Sequence, residues 1–120
     1  MTYNFTNAIV RKPNKSIHNA LSSQYLHPSY EKILEIHDNY INSIEEAGVN
    51  IILLENLEQY PDSIFVEDPA LIFKNNIIVL NPSDVTRNGE AKIIKNEISK
   101  YFEKIFVVEN GVIEGGDILN

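Results

Sequence analysis

Cysteine is absent from all 120 residues of this chain. The absence excludes disulfide bonds, thiolate metal sites and a cysteine nucleophile within these residues. Long apolar runs are also missing, since no stretch approaches the roughly 20 residues that a membrane-spanning helix needs. Residues 1–5 lack the basic and apolar regions of a secretion signal. We therefore expect a soluble, cytoplasmic protein.

Positive charge is scarce. The chain has 17 acidic and 10 basic residues and a formal net charge of -7, which repels phosphate backbones and anionic membrane surfaces. We therefore expect neither nucleic acid nor membrane as a partner. The three histidines, His18, His27 and His37, lack the HExxH or HxH spacing of a metal site. We accordingly expect no metal and no cofactor.

Acidic residues are concentrated in one apolar, β-branched segment, residues 61–70 with the sequence PDSIFVEDPA. Folding would partly desolvate Asp62, Glu67 and Asp68, and a buried carboxylate must be paired, hydrogen-bonded or protonated. The pattern indicates either a pocket for a cation or a structural role, such as salt bridges to Lys74 and Arg87. We favour the cation pocket.

The first half of the chain predicts a β-α-β unit. A strand over residues 5–10 leads into a long polar connection, of which residues 16–26 are a candidate lid. Apolar residues at helical spacing then predict a helix over residues 29–47, with Ser29 as the N-cap and Gly48 as the stop. The aliphatic run over residues 49–54 is typical of a strand buried on both faces.

The second half predicts a similar order of elements. These are a hairpin of strands 70–73 and 77–80 around Asn75-Asn76, an amphipathic helix over residues 87–101, a strand over 105–108 and a last strand over 112–120. The shared order suggests an internal repeat, with modules of roughly residues 1–60 and 61–120.

Four ordered motifs resemble one family. They are NAIVRKPNKSI at residues 7–17, PDSIFVEDPA at 61–70, RNGE at 87–90 and EGGDIL at 114–119. Together they are similar to dimethylarginine dimethylaminohydrolase, in the guanidino-group modifying (pentein) superfamily with arginine deiminase and the amidinotransferases. The resemblance implies an α/β propeller of five ββαβ modules, of which this chain would hold about two.

The same resemblance implies an activity. Family members convert dimethylarginine or arginine to citrulline through a cysteine-bound thiouronium intermediate. By motif order, the nucleophilic cysteine and the catalytic histidine fall beyond residue 120, which agrees with the lack of cysteine. The chain would then be an N-terminal segment of an amidine hydrolase, inactive without the remaining modules.

Site residues follow from the same motifs. The resemblance implies that Asp68 pairs with the substrate guanidinium, that Glu114 is the catalytic acidic residue, and that Asp62 and Glu67 are acidic pocket positions. A guanidinium is planar with donors in a fixed fork, so carboxylates from two strands can hold its central carbon in place for attack.

Two further positions face the other end of the substrate. The resemblance implies that Arg87 contacts the substrate carboxylate and that the backbone carbonyl of Leu21 faces the substrate amine. We also expect Gly115 and Gly116 to let the backbone approach closely behind Glu114 without a Cβ clash.

Three alternatives stay open. Hydrolase, deiminase and amidinotransferase share the acidic pocket, so the substrate is either arginine or a methylated arginine. The chain could instead be a module that binds guanidinium ligands without turning them over. A third possibility is an acidic α/β domain whose open sheet edges pair with the remaining modules or with a second copy.

Overall fold

Two units make up the chain, Met1–Ile64 and Phe65–Asn120. The computed structural model describes residues 4–20 and 29–118. Both units are mixed α/β, as the sequence predicts. Among these residues, no helix combines the length and the apolar composition needed to cross a bilayer.

The first unit contains a parallel β-α-β arrangement. Strand β1, Asn7–Arg11, pairs in parallel with strand β2, Asn50–Leu54, in a register that joins Asn7 to Asn50 and Arg11 to Leu54. Helix α1, Tyr30–Glu46, connects them. A short 3-10 helix, Lys15–Asn19, occupies the start of the predicted lid, and the part of the lid from residue 21 onward lies outside the described residues.

Helix α1 begins and ends where its sequence signals predict. The Ser29 hydroxyl accepts a hydrogen bond from the Lys32 backbone N–H at 3.2 Å, which satisfies one free donor of the first turn. Gly48, at a φ of 84°, follows the last turn in the left-handed conformation that glycine favours. His37 is the buried residue of this helix.

Strand β2 corrects one expectation. Its sequence predicts burial on both faces, but only Leu54 is buried, while Leu53 is 43% exposed. Neighbouring side chains of a strand point to opposite faces. Ile51 and Ile52 point to opposite faces and are both half-buried, so neither face of this strand is buried along its whole length.

The second unit contains a three-stranded sheet in the order β3-β4-β5. Strand β3, Ala70–Phe73, and strand β4, Asn76–Val79, form the predicted antiparallel hairpin. Strand β5, Lys104–Val107, pairs in parallel with β4 after helix α2, Glu90–Ile98. The core of this unit lies between β4 and α2, where the buried side chains are Ile77, Val79, Ile94 and Ile98.

Helix α2 is shorter than predicted. It begins at Glu90 rather than at residue 87, and its last residues form a 3-10 turn, Ser99–Tyr101. Arg87 belongs to the turn before the helix, since its N–H donates to the Asp84 carbonyl at 3.0 Å. The side chain of Asp84 accepts the Thr86 N–H at 2.8 Å and stabilises this turn in place of a first helical turn.

The predicted last strand over residues 112–120 is also wrong. The described part forms one isolated bridge between Ile113 and Asn81, followed by a 3-10 turn, Gly115–Asp117. The carboxylate of Asp117 accepts the Glu114 N–H at 3.0 Å, so the chain closes on itself instead of extending.

Candidate functional site

Four of the predicted site residues lie in the second unit, namely Glu67, Asp68, Arg87 and Glu114. Asp62 lies in the first unit, and Leu21 lies outside the described residues. The geometry below therefore concerns the second unit, and the roles of all six in substrate binding stay predictions.

Asp68 precedes β3 and has a side chain that is 29% exposed. One of its carboxylate oxygens forms an ion pair and hydrogen bond with Nη1 of Arg87. Its backbone N–H donates to the Phe65 carbonyl at 3.2 Å, which bends the segment into a turn. The acidic segment thus includes the salt bridge to Arg87 that the sequence left open, while the Asp68 side chain is still partly exposed.

Arg87 is 5% exposed, and all three nitrogens of its guanidinium donate to acceptors of the same unit. Nε donates to Oε2 of Glu90 at 2.6 Å, and Nη2 donates to Oε1 of Glu90 at 3.3 Å and to the Phe65 carbonyl at 3.0 Å. Nη1 donates to Asp68. The guanidinium is therefore held in its plane from three sides.

The electrostatics favour the charged form of this arginine. Burial alone would lower the pKa of Arg87, but the hydrogen bonds and charges of Glu90, followed by those of Asp68, outweigh it and raise that pKa above its ordinary value. The group is consequently a cation throughout the neutral pH range.

Glu114 is half-buried beside the turn that follows β4. Its Oε1 accepts hydrogen bonds from the backbone N–H of Ser83 at 3.1 Å and from the Ser83 hydroxyl at 3.3 Å. Two hydrogen bonds to one oxygen fix the direction of this carboxylate.

Glycine brings the Glu114 segment against the acidic segment. The backbone N–H of Gly115 donates to the Asp68 carbonyl at 3.0 Å. A Cβ at Gly115 would stand 2.2 Å from the Glu67 carbonyl oxygen, so only glycine fits without a shift. The expected close approach is confirmed at Gly115 and wrong at Gly116, where a Cβ would meet no atom within 4 Å.

Two residues of this constellation were not predicted from the sequence. Glu90 is 3% exposed and accepts a hydrogen bond from Arg87, and the Ser83 hydroxyl donates a hydrogen bond to Glu114. The sequence does indicate a contact for Glu90, because it follows Arg87 by three residues and opposite charges at i,i+3 attract each other on a helix surface. No pattern in the sequence joins Ser83 to Glu114, which lies 31 residues later.

In the first unit, Asp62 is buried and lies within a turn of residues 57–63 that one side chain holds. The amide of Asn14 is fully buried and donates to the carbonyls of Leu57 and Tyr60, both at 3.1 Å, and to the Ser63 hydroxyl at 2.9 Å. Among all the residues that the structure describes, no group of three or more acidic, histidine or cysteine side chains could hold a metal ion.

Comparison with known proteins gives a consistent result. The profile of the family described as N,N dimethylarginine dimethylhydrolase, eukaryotic, matches residues 4–117. A dimethylarginine dimethylaminohydrolase of Pseudomonas aeruginosa is 37% identical over 118 residues, which cover 96% of this chain and 46% of that protein. One from Streptomyces coelicolor is 27% identical, with coverage of 93% and 45%.

Solved structures agree. A cysteine-to-serine variant of the Pseudomonas aeruginosa enzyme in complex with citrulline superposes with a TM-score of 0.93 at 36% identity, over 98% of this chain and 48% of that one. A histidine-to-glycine variant of a dimethylarginine dimethylaminohydrolase, as an adduct with S-methyl-L-thiocitrulline, gives 0.92 at 37% identity, with coverage of 98% and 47%. The chain thus has the mixed α/β fold of these structures and spans about half of their length.

Proposed function

The chain belongs to the dimethylarginine dimethylaminohydrolase family, and from this premise we propose that it supplies the guanidinium-binding acidic part of an amidine hydrolase. The reaction converts dimethylarginine or arginine to citrulline. The observation that supports the proposal most directly is the docking of the Glu114 segment on the Asp68 segment, through a Gly115 contact that leaves no room for a Cβ.

In this proposal, Asp68, whose side chain is partly exposed, receives the guanidinium. Glu114 is the catalytic acidic residue and works beside a histidine that these 120 residues do not supply. Glu67 adds negative charge beside Asp68 in the chain, which favours a cationic substrate. Asp62, in the first unit, is proposed as an acidic pocket position on the resemblance alone.

For Arg87 the geometry favours support of Asp68 over the contact with the substrate carboxylate that the resemblance implies, because its buried guanidinium already donates to Asp68, Glu90 and the Phe65 carbonyl. We propose that the carbonyl of Leu21 faces the substrate amine.

The chemistry follows from the substrate. A cysteine thiolate from outside these 120 residues adds to the central guanidinium carbon, and the C–N bond to the leaving amine breaks as that nitrogen takes up a proton. Water then adds to the thiouronium carbon and gives up its proton to the histidine from outside these residues, the C–S bond breaks, and citrulline and the thiolate are released as the remaining proton passes to solvent. The carboxylates of this chain hold the planar group still during both steps. The chain alone is expected to be inactive.

The test is expression of the complete reading frame in which this sequence lies, with an assay for citrulline release from dimethylarginine and from arginine. We expect activity in the wild type and a loss of at least about a hundredfold in Glu114→Gln. Glu103→Gln is the matched control, because it removes the same charge from an exposed position. A complete protein that releases no citrulline from either substrate would refute the proposal.

A second candidate is a module that pairs with other propeller modules or with a second copy. One observation favours it: the side chains of Ile105, Phe106 and Val107 on β5 are 37%, 52% and 42% exposed, which is unusual for consecutive apolar residues. Sedimentation of the chain alone would test this candidate, and a monomer at high concentration would count against it.

Calorimetry with arginine, methylarginine and citrulline would test ligand binding without turnover.

The remaining expectations belong to the same proposal. We propose a cytoplasmic location and no cofactor. We also propose that neither nucleic acid nor membrane is a partner, because the net charge of -7 repels phosphate groups. Cell fractionation and retention on a phosphate-rich resin would test these points.

A further inference from the structure

Glu90 is the one buried acidic residue of the RNGE motif, and the proposed function gives it no role. It is 3% exposed and stands in the first turn of α2. A buried carboxylate is costly unless it is paired and hydrogen-bonded. Its partner is Arg87, which also contacts the proposed guanidinium ligand Asp68.

The contact with Arg87 is of the two-point kind. Oε2 of Glu90 accepts from Nε at 2.6 Å and Oε1 accepts from Nη2 at 3.3 Å, so one whole edge of the guanidinium lies against the carboxylate. Such a paired contact fixes the plane and the rotation of an arginine head group. With Nη2 also donating to the Phe65 carbonyl at 3.0 Å, Nη1 is directed at Asp68.

Helix α2 makes this support rigid. Glu90, Ile94 and Ile98 are spaced by four residues, so they share one face of the helix. Ile94 and Ile98 are 2% and 1% exposed and anchor that face in the core of the unit. Glu90 therefore reaches Arg87 from a fixed element, and its charge in the first turn is favoured by the helix dipole.

We propose that Glu90 is a positioning residue, which sets the plane of the Arg87 guanidinium and, through it, the direction of the Asp68 carboxylate that receives the substrate. The inference rests on the proposed function of Asp68. It also explains the charge of the cluster. Two carboxylates share one guanidinium, so the group stays negative overall, whereas Arg87 and Asp68 alone would form a neutral pair with little attraction for a cationic substrate.

The test uses the protein from the complete reading frame, with Glu90→Gln as the variant and Glu103→Gln as the control. Glutamine keeps the size of the side chain and removes its charge. We expect the KM for dimethylarginine to rise about tenfold in Glu90→Gln while kcat stays within about threefold, because binding of the substrate guanidinium is weakened before and during reaction alike. The control should change neither constant.

A second measurement needs no variant. In the wild-type protein, the Nη protons of Arg87 should give separate, slowly exchanging NMR signals, because the two-point contact hinders rotation about the guanidinium bonds. Averaged signals from a freely rotating guanidinium would overturn the inference even if Glu90→Gln failed to fold.

The outcomes separate the two proposals. An active wild type with an unchanged KM in Glu90→Gln would overturn the role of Glu90 and leave the proposed function standing. A wild type that releases no citrulline would overturn the proposed function, and with it the role of Glu90 in substrate binding.

Discussion

Each unit of the chain holds a loop in place with one buried side chain, and the two side chains differ in charge. In the first unit the neutral amide of Asn14, at 0% exposure, binds the turn of residues 57–63 through two carbonyls and a hydroxyl. In the second unit the cation Arg87, at 5% exposure, binds the segment of residues 65–68 through a carbonyl and a carboxylate, with Glu90 behind it.

The difference in charge shows what each of these two centres, Asn14 and Arg87 with Glu90, is suited to do. A neutral amide satisfies backbone groups at little desolvation cost, which is sufficient to fix a turn. A buried ion pair is a poor means of gaining stability, since an apolar pair of equal size often does as well. A charged centre beside the half-exposed Asp68 is better explained by its effect on the direction and charge of that carboxylate.

The largest effect is expected from Arg87→Met. The change removes the cation that Glu90 and Asp68 share, and removing one partner of a buried ion pair costs about 3–5 kcal/mol of unfolding free energy. Urea unfolding followed by circular dichroism would measure it. The double variant Arg87→Met with Glu90→Gln should recover part of the loss. A loss below about 1 kcal/mol in the single variant would mean that the charged centre is dispensable.

Asn14→Ala is expected to come next, at about 2–4 kcal/mol, because it removes three hydrogen bonds that a fully buried amide donates to the Leu57 and Tyr60 carbonyls and to the Ser63 hydroxyl. The same unfolding experiment in low and in 1 M salt would sharpen the comparison, since this loss should be insensitive to salt. Ser16→Ala, which removes one hydrogen bond to Asn14, is the milder control. A salt-dependent loss in Asn14→Ala would contradict the contrast between the two centres.

Gly115→Ala is expected to cost about 1–3 kcal/mol, because the added Cβ would stand 2.2 Å from the Glu67 carbonyl oxygen. Gly116→Ala is a neighbouring control in open space and should change stability by less than about 0.5 kcal/mol. In the protein from the complete reading frame, only Gly115→Ala should also lower kcat, since it separates the segments of Glu114 and Asp68. Equal effects of the two variants would refute the close approach.

The smallest expected effect is the loss of folding stability at low pH that His37 of the first unit causes. Burial lowers the pKa of His37 below its ordinary value of 6.5, although Asp38 and the backbone of Arg11 favour the proton. The unfolded chain therefore binds this proton more readily, so His37 contributes its stability in full above pH 6.5 and loses it as the pH falls through the lower, folded pKa.

Urea midpoints between pH 7.5 and pH 5 would measure this loss. His37→Gln should flatten the profile, because it removes the titrating imidazole. Arg87, whose pKa is raised, stays charged throughout this range. A wild-type midpoint that does not fall with pH would contradict the role of His37.

Local signals were sufficient for most of the fold. Ser29 and Gly48 mark the ends of α1, and the β-branched runs on either side of Asn75 predict the hairpin. The prediction was wrong where a side chain made a longer-range contact. The first turn expected of α2 is replaced by the turn at Asp84 that presents Arg87, and the last strand is replaced by the docking of Gly115 on Asp68.

For the site, the sequence identified the acidic residues but not their supports. Asp68 and Glu114 were selected by the family resemblance, and their approach through Gly115 could not be read from spacing, because it joins residues that are far apart in the chain. Glu90 could have been identified from its i,i+3 spacing to Arg87, yet the same spacing occurs in exposed pairs such as Lys32 and Glu35. Only burial separates these two cases.

The tip of the β3-β4 hairpin has a practical use. Lys74 adopts a φ of 54°, a left-handed conformation that costs a residue with a side chain about 1 kcal/mol. Its ammonium group lies 5.5 Å from the Phe73 ring centre, and this cation–π contact offsets part of the cost. Asparagine or glycine would relax this backbone. Position 74 thus offers a stabilised background in which damaging changes at Arg87 or Glu90 can be studied while the protein still folds.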